Sequence, residues 1–537
     1  IITYTRAAAG ELRGKIARAL TERMERDPGN EHLRRQLLRV YRADIKTVDA
    51  FCTALLRENC HLLGEDARGH ALRPDFRVLD ESQAQTLRER VLARTLDDFY
   101  DHLTPDGAAL SDTLGAGRDD SALEALVLEL HGKLQAQPYE DKWLDAQRNF
   151  WRGVPERIEQ TPYGRLLLDG VRRKARHWQR LLADAAQEMA QNDALNQKYA
   201  PAFLDVSYQL EALAAKTDEG WDAARGVSVA FPRLPPVKDS DGGELKARVK
   251  GLWDGCKAAA RDFGETLSAS SAEAADELRA MSGAMLALID LTADFSRRFR
   301  EEKRRRNAAD FSDQEHEAIR LLVDENGAPT ELARIVSGRY REIMVDEYQD
   351  TNEVQNRIFD AVSRGGENLF TVGDVKQSIY RFRLADPRIF LQHYNAWPPV
   401  EAAAEHESAK LLLSRNFRSR REVLEATNFI FSNVLSEEMG ELTYGEDEML
   451  RPGASYDERA DCGAEFHLLD LPVQTGGQRV RASEAEAAFV ADYIRDMLSS
   501  KFTVQDDETK ELRPVREEDI VILMRSPRTR LADYRRA

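Results

Sequence analysis

The chain has 537 residues, 42% hydrophobic and 32% charged, with a formal net charge of −17. That length and apolar content suit a multidomain globular protein of roughly three to four domains and exclude a disordered or fibrous chain. The acidic balance does not exclude a nucleic-acid partner, because a local basic stripe can bind a polyanion on an acidic protein. Cys52, Cys60, Cys256 and Cys462 show neither CxxC pairing nor metal-ligand clustering, which points to a reducing compartment and to no structural zinc or iron–sulfur site. No apolar run reaches the length of a membrane span and no signal-peptide pattern occurs, so the sequence reads as cytoplasmic.

In chain order, Ile1 to Thr5 read as a strand already under way, followed by a helix-forming run from Arg6 to Arg13. Gly10 to Ile16 mimics the phosphate loop G-x-x-x-x-G-K-[ST], but only three residues separate its glycines and Ile16 stands where a magnesium-binding hydroxyl belongs. It also lies on an amphipathic helix (Leu12, Ile16, Ala19, Leu20), and is rejected as a nucleotide loop. Ile45 to Cys52 reads as a short strand and the start of a helix, with Asp49 as its N-cap. From about Arg57 to Phe295 the pattern is almost all helical, and five of the six tryptophans in it read as core. Arg297 to Arg306 carries seven basic residues against two acidic; such a run is usually a solvated helix face.

Three apolar runs then end in polar chemistry. Ile343-Met344-Val345 runs into Asp346 and Glu347, the pattern of a buried parallel strand whose carboxyl end meets phosphate and Mg²⁺. One carboxylate there can hold the metal through water and its neighbour can position the water that attacks a γ-phosphate, although a lone Asp-Glu pair is as readily an acidic turn. Leu369 to Val372 stops at Gly373-Asp374, with Gln377 placed to report on a phosphate, and Tyr380 and Phe382 interleaved with Arg381 and Arg383 suit stacking on unpaired bases. Leu411 to Leu413 leads to Phe417 and Arg418, an aromatic for a nucleobase and a cation for a phosphate. Residues 436–515 are less regular, and Asp519 to Ser526 reads as a strand.

Together DEYQDT, GDVKQSIYRFR and NFRS, in that order, resemble the superfamily 1 DNA helicases of the UvrD/Rep kind. VGDVKQSIYRFRLADPRIF, with Asp310-Phe311-Ser312-Asp313 upstream, is most similar to the AddA/RecB helicase–nuclease subunits of bacterial double-strand break repair. The resemblance implies an α/β fold: a RecA-like parallel-sheet motor domain 1A (residues 1–62 and 297–407) interrupted by a large all-helical insertion 1B (63–296), then the start of a second RecA-like domain 2A (408–537). It implies an ATP- and Mg²⁺-dependent 3′-to-5′ helicase with single- and double-stranded DNA as substrates and an AddB-like or RecC-like partner subunit.

By the same resemblance, Asp346 holds Mg²⁺, Glu347 activates water, Gln377 and Arg418 sense the γ-phosphate, and Phe417 covers the base. Tyr4, Thr47, Tyr380, Phe382 and Arg383 face DNA. Asp49 stands where the family has histidine, and Lys303 matches a lysine common in the family, which brings the basic run near DNA. The family's phosphate loop has no counterpart here, so the chain reads as truncated at its start and unable to hydrolyse ATP efficiently alone. A helicase without a nuclease would share every motif; a non-catalytic DNA-binding scaffold subunit is the reading from another class.

Overall fold

The computed structural model describes the chain except residues 67, 115–119, 380–383, 438–441, 457, 458, 460, 461, 472–480, 501, 507, 508 and 510, and the side chains of 239–242. It forms two compact units: Ile1–Leu413 with Leu435–Thr443, and Ser414–Val434 with Tyr444–Ala537.

The first unit is mostly helical, and its described residues carry six short strands: β1 (Ile2–Thr3), β2 (Lys46–Thr47), β3 (Arg77–Val78), β4 (Ala308–Ala309), β5 (Ile343–Val345) and β6 (Leu369–Thr371). Four of them make a parallel sheet in the order β2-β1-β5-β6. Parallel neighbours need crossover connections, here made by helices. One sheet face packs on helices Val48–Asn59, Phe311–Leu322 and Glu353–Val362, and Cys52, Leu56, Val345, Tyr348 and Ile358 are fully enclosed between them. Alternation along the strands turns Met344, Phe370 and Val372 to the opposite face, where all three are exposed.

The long connection between β2 and β5 contains the helical insertion, which leaves beside β3 and returns beside β4; these two strands pair in parallel, Arg77 with Ala308 and Val78 with Ala309. Its largest core lies between the antiparallel helices Pro162–Met189 and Ala200–Glu219 and the helix Asp239–Thr266, around Leu182, Phe203, Leu210 and Trp253. Trp151 and Trp221 are also buried, and Trp143 and Trp178 pack against these cores.

Two local expectations are corrected. The N-cap of Val48–Asn59 is Thr47, whose hydroxyl accepts from the Ala50 amide at 3.2 Å; Asp49 is the second helical residue. The cap must precede the first helical turn, and the chain turns helical immediately after β2. Residues 520–526 form no strand, and Val521 and Leu523 are 75% and 89% exposed. An apolar β-rich run becomes a strand only where a neighbour supplies the ladder, and no described residue does.

The second unit holds a parallel pair (Arg415–Asn416 with Arg451–Pro452), an antiparallel pair (Thr503–Gln505 with Leu512–Pro514) and the helices Arg421–Val434, Ala482–Ser499 and Pro527–Arg536. Among the described residues no helix is long and apolar enough to cross a membrane.

Candidate functional site

The sheet brings the DEYQDT stretch and the start of GDVKQ to one end. β5 stops at Asp346, whose amide donates to the Ile2 carbonyl of β1 at 3.1 Å, and β6 continues until the Val372 amide donates to Val345 at 2.8 Å. Past these bonds both chains leave the sheet on the same side, which sets Asp346 and Glu347 beside Gly373 and Asp374. Glu347 sits in the left-handed region (φ 52°, ψ 41°), a backbone state that costs a non-glycine residue about 1 kcal/mol and clusters at functional sites. Its amide donates to Asp346 Oδ1 at 3.0 Å.

Each carboxylate keeps an open oxygen. Asp346 is half-buried and its second oxygen accepts from no described residue; Glu347 is exposed, and only its Oε2 is engaged, by Gln349 Nε2 at 2.7 Å. Mg²⁺ bound beside nucleotide phosphates takes one or two protein carboxylates and completes its shell with water and phosphate oxygens. Asp346 fits that requirement, and no group of three or more potential ligands occurs among the described residues. Gln377 is exposed and donates to Asp374 Oδ2 at 3.0 Å; Lys376 Nζ holds the other Asp374 oxygen at 2.8 Å. Burial and the charge of Glu347 push the Asp350 carboxyl up to about 6, against the Gln349 hydrogen bond.

Tyr4 and Thr47 follow β1 and end β2. The Tyr4 hydroxyl is committed inward, within 3.0 Å of Thr351 Oγ1 and 3.1 Å of Gln355 Oε1, and burial raises its pKa. Gln355 Nε2 donates onward to Glu315 at 2.7 Å, and burial pushes the Glu315 carboxyl up to about 7. Thr47 is buried and serves as the helix cap described above. Tyr380, Phe382 and Arg383 lie outside the described residues.

Phe417 and Arg418 belong to the second unit. Asn416 Oδ1 accepts from the amides of Arg418 and Ser419 at 2.9 and 2.8 Å and so shapes the turn. The Phe417 ring is 68% exposed and lies against Gly453, where a Cβ would come within 2.8 Å of it. Arg418 is exposed, and its guanidinium pairs with no described residue.

The basic run 297–306 is internally neutralised. Arg297 pairs with Asp294 and Glu301, Arg298 with Asp98 and Asp294, Arg300 with Glu140, and Arg305 and Arg306 with Glu302. Lys303 is buried, with Nζ 2.7 Å from both Asp310 and Asp313, and buried Arg304 meets Glu317 at 2.6 Å. Each of these seven cations holds a carboxylate, and the buried pair Lys303 and Arg304 makes part of the run a structural joint.

Residues 1–398 match the family model described as the UvrD/REP helicase N-terminal domain. The chain belongs to the UvrD/REP helicase family. Among curated relatives it is similar to the A subunit of the ATP-dependent helicase/nuclease of Ruminiclostridium cellulolyticum, at 32% identity over 98% of this chain and 45% of that protein. Proteins of the same description from Carboxydothermus hydrogenoformans and Bacillus cytotoxicus are 34% and 33% identical over 98% of this chain, which covers 44% and 43% of their lengths. This UvrD/REP chain therefore spans less than half the length of these relatives.

Sequence reasoning passed over two buried side chains at the parallel sheet. Gln349 is 1% exposed and bridges the two motifs. Glu315 is buried on the apolar stripe of Phe311–Leu322, with Ala318, Ile319 and Leu322. The signal was available for Glu315: an acidic residue at the core period of an amphipathic helix requires a partner inside the fold.

Proposed function

We propose that this chain is the motor part of an ATP-dependent DNA helicase that moves 3′ to 5′ along single-stranded DNA in double-strand break repair and recombination. The reading is carried by one arrangement, the placing of Asp346, Glu347 and Gln377 at one end of the parallel sheet with open oxygens on both carboxylates. The sheet is a first RecA-like domain formed by residues 1–62 and 297–407, residues 63–296 are its 1B insertion, and 408–537 begin domain 2A.

Asp346 would hold Mg²⁺ through water, and the bound ion would neutralise charge on the β- and γ-oxygens. Glu347 would draw a proton from the attacking water as its oxygen bonds to the γ-phosphorus; the bond to the bridging oxygen breaks and ADP keeps that oxygen. Gln377 and Arg418 would report the γ-phosphate and Phe417 would cover the base. Tyr4, Thr47, Tyr380, Phe382 and Arg383 would face DNA. Because the Tyr4 hydroxyl is engaged, its contact falls to the ring; the Thr47 hydroxyl accepts from Ala50 and keeps its hydrogen for a phosphate. Closure between the motor domains during hydrolysis would become strand movement over the aromatic residues.

The relatives are described as helicase/nuclease subunits, which supports a nuclease activity for the full-length cytoplasmic protein and a second, AddB-like or RecC-like partner chain. The test uses the full-length natural protein with its partner: ATP hydrolysis with and without single-stranded DNA, and unwinding of 3′-tailed and 5′-tailed duplexes. DNA-stimulated hydrolysis with unwinding of the 3′-tailed substrate is expected. DNA binding without turnover would replace the motor with a scaffold, and 5′-tailed unwinding would overturn the polarity. Residues 1–537 alone, which hold no G-x-x-x-x-G-K-[ST] loop, are expected to turn over ATP far more slowly.

A further inference from the structure

We propose that Gln349 is a positioning residue for hydrolysis: its side-chain amide aims the Glu347 carboxylate and fastens the end of β5 to the end of β6 that carries Gln377. The inference rests on the assignment of Glu347 as the group that activates water.

The orientation of the amide follows from its partners. A backbone N–H can only donate, so the Asp374 amide, 2.9 Å from the Gln349 side chain, must meet the carbonyl oxygen Oε1. Nε2 then points the other way, 2.7 Å from Glu347 Oε2, with Asp350 Oδ2 at 3.4 Å. A flipped amide would set its oxygen against a carboxylate and its N–H against another N–H. At 1% exposure Gln349 has no water to replace either bond.

The surroundings are shaped around this amide. A Cβ on Gly373 would lie 2.6 Å from Gln349 Oε1 and 3.2 Å from the backbone nitrogens of Tyr348 and Gln349, so only glycine admits the bridge. Asp374 is itself fixed by Lys376 and accepts from Gln377. An unbroken hydrogen-bonded chain therefore runs Glu347, Gln349, Asp374, Gln377, and joins the water-activating group to the phosphate-sensing one. Glu347 needs such a hold, because it is exposed and otherwise free to swing.

The experiment measures single-turnover ATP hydrolysis by the full-length natural protein with saturating single-stranded DNA. Gln349→Glu keeps size and acceptor and, measured at a pH high enough to ionise it, cannot donate to Glu347, whereas Gln349→Met keeps length and removes both bonds. Each is expected to lower kcat by about tenfold to a hundredfold, the cost of misplacing a catalytic group by about an ångström, with KM and the binding of a fluorescent ATP analogue unchanged. Added to Glu347→Gln, Gln349→Met should leave the residual rate where it was, because nothing remains to position. A folded Gln349→Glu protein with wild-type kcat would overturn the proposal, as would an equal further loss in the Glu347→Gln background. If the methionine variant does not fold, Gln349→Glu alone decides between these outcomes. Wild-type turnover in Glu347→Gln alone would instead overturn the assignment of Glu347.

Discussion

Two places in the first unit concentrate carboxylates, and they are compensated in opposite ways. Where the helical insertion returns to the parallel sheet, Asp310, Asp313 and Glu317 meet the buried cations Lys303 and Arg304. At the carboxyl end of β5, Glu347 and Asp350 meet, among the described residues, only the neutral amide of Gln349. The titration of the two regions differs at one carboxylate: burial works against ionising Asp310, yet Lys303 outweighs it and lowers that carboxyl, whereas Asp313 beside it and Asp350 at the strand end are both pushed up to about 6. Charge that a cation neutralises inside the fold fixes structure; charge left with an open oxygen at a strand end is available for chemistry.

The largest expected effect lies at the joint. Lys303→Met leaves two buried carboxylates facing each other without their cation and should destabilise the first unit by about 3–5 kcal/mol in urea unfolding. A loss below about 1 kcal/mol would mean that the pair contributes no more than a surface ion pair, and the contrast would collapse.

Next in size is a test on Glu315, a buried carboxylate held by an amide rather than a cation. Its pKa is higher in the folded chain, about 7, than the ordinary glutamate value, so the folded state binds the proton more tightly. Stability is therefore greatest below the ordinary carboxylate range and falls as pH rises toward about 7. Glu315→Gln should flatten that fall by roughly 1–3 kcal/mol across the window, read from unfolding midpoints between acidic and neutral pH. Part of the slope should persist, since burial also pushes Asp313 and Asp350 up to about 6. An unchanged slope would contradict the assignment. The smallest effect belongs to Tyr4→Phe, which removes the hydroxyl shared by Thr351 and Gln355 and should cost about 1 kcal/mol of stability. Because stacking needs only the ring, single-stranded DNA binding should hold.

Two motifs were legible because the parallel strands β5 and β6 read as apolar runs that stop abruptly; the third run, Leu411 to Leu413, is exposed and forms no strand. The structure places Asp346, Glu347 and Gln377 at one sheet end and Phe417 and Arg418 in a turn of the second unit. Partners were not legible in the same way. The run Arg297 to Arg306 reads as exposed positive charge until folding brings Asp98 and Glu140 from far upstream in the chain. Gln349 reads as one more polar residue in a turn, because its meaning depends on an amide of the neighbouring strand. Asp49 looked like a cap by residue type, but the position of β2 gave that task to Thr47.

DNA-stimulated ATP hydrolysis by the full-length natural protein, measured beside its Glu347→Gln variant, probes the motor assignment at its root. Turnover is expected to fall by about a hundredfold or more, the contribution of a general base, while ATP and single-stranded DNA binding persist. Undiminished turnover in the variant would contradict the assignment, because the open carboxylate at the end of β5 would then not be the group that activates water.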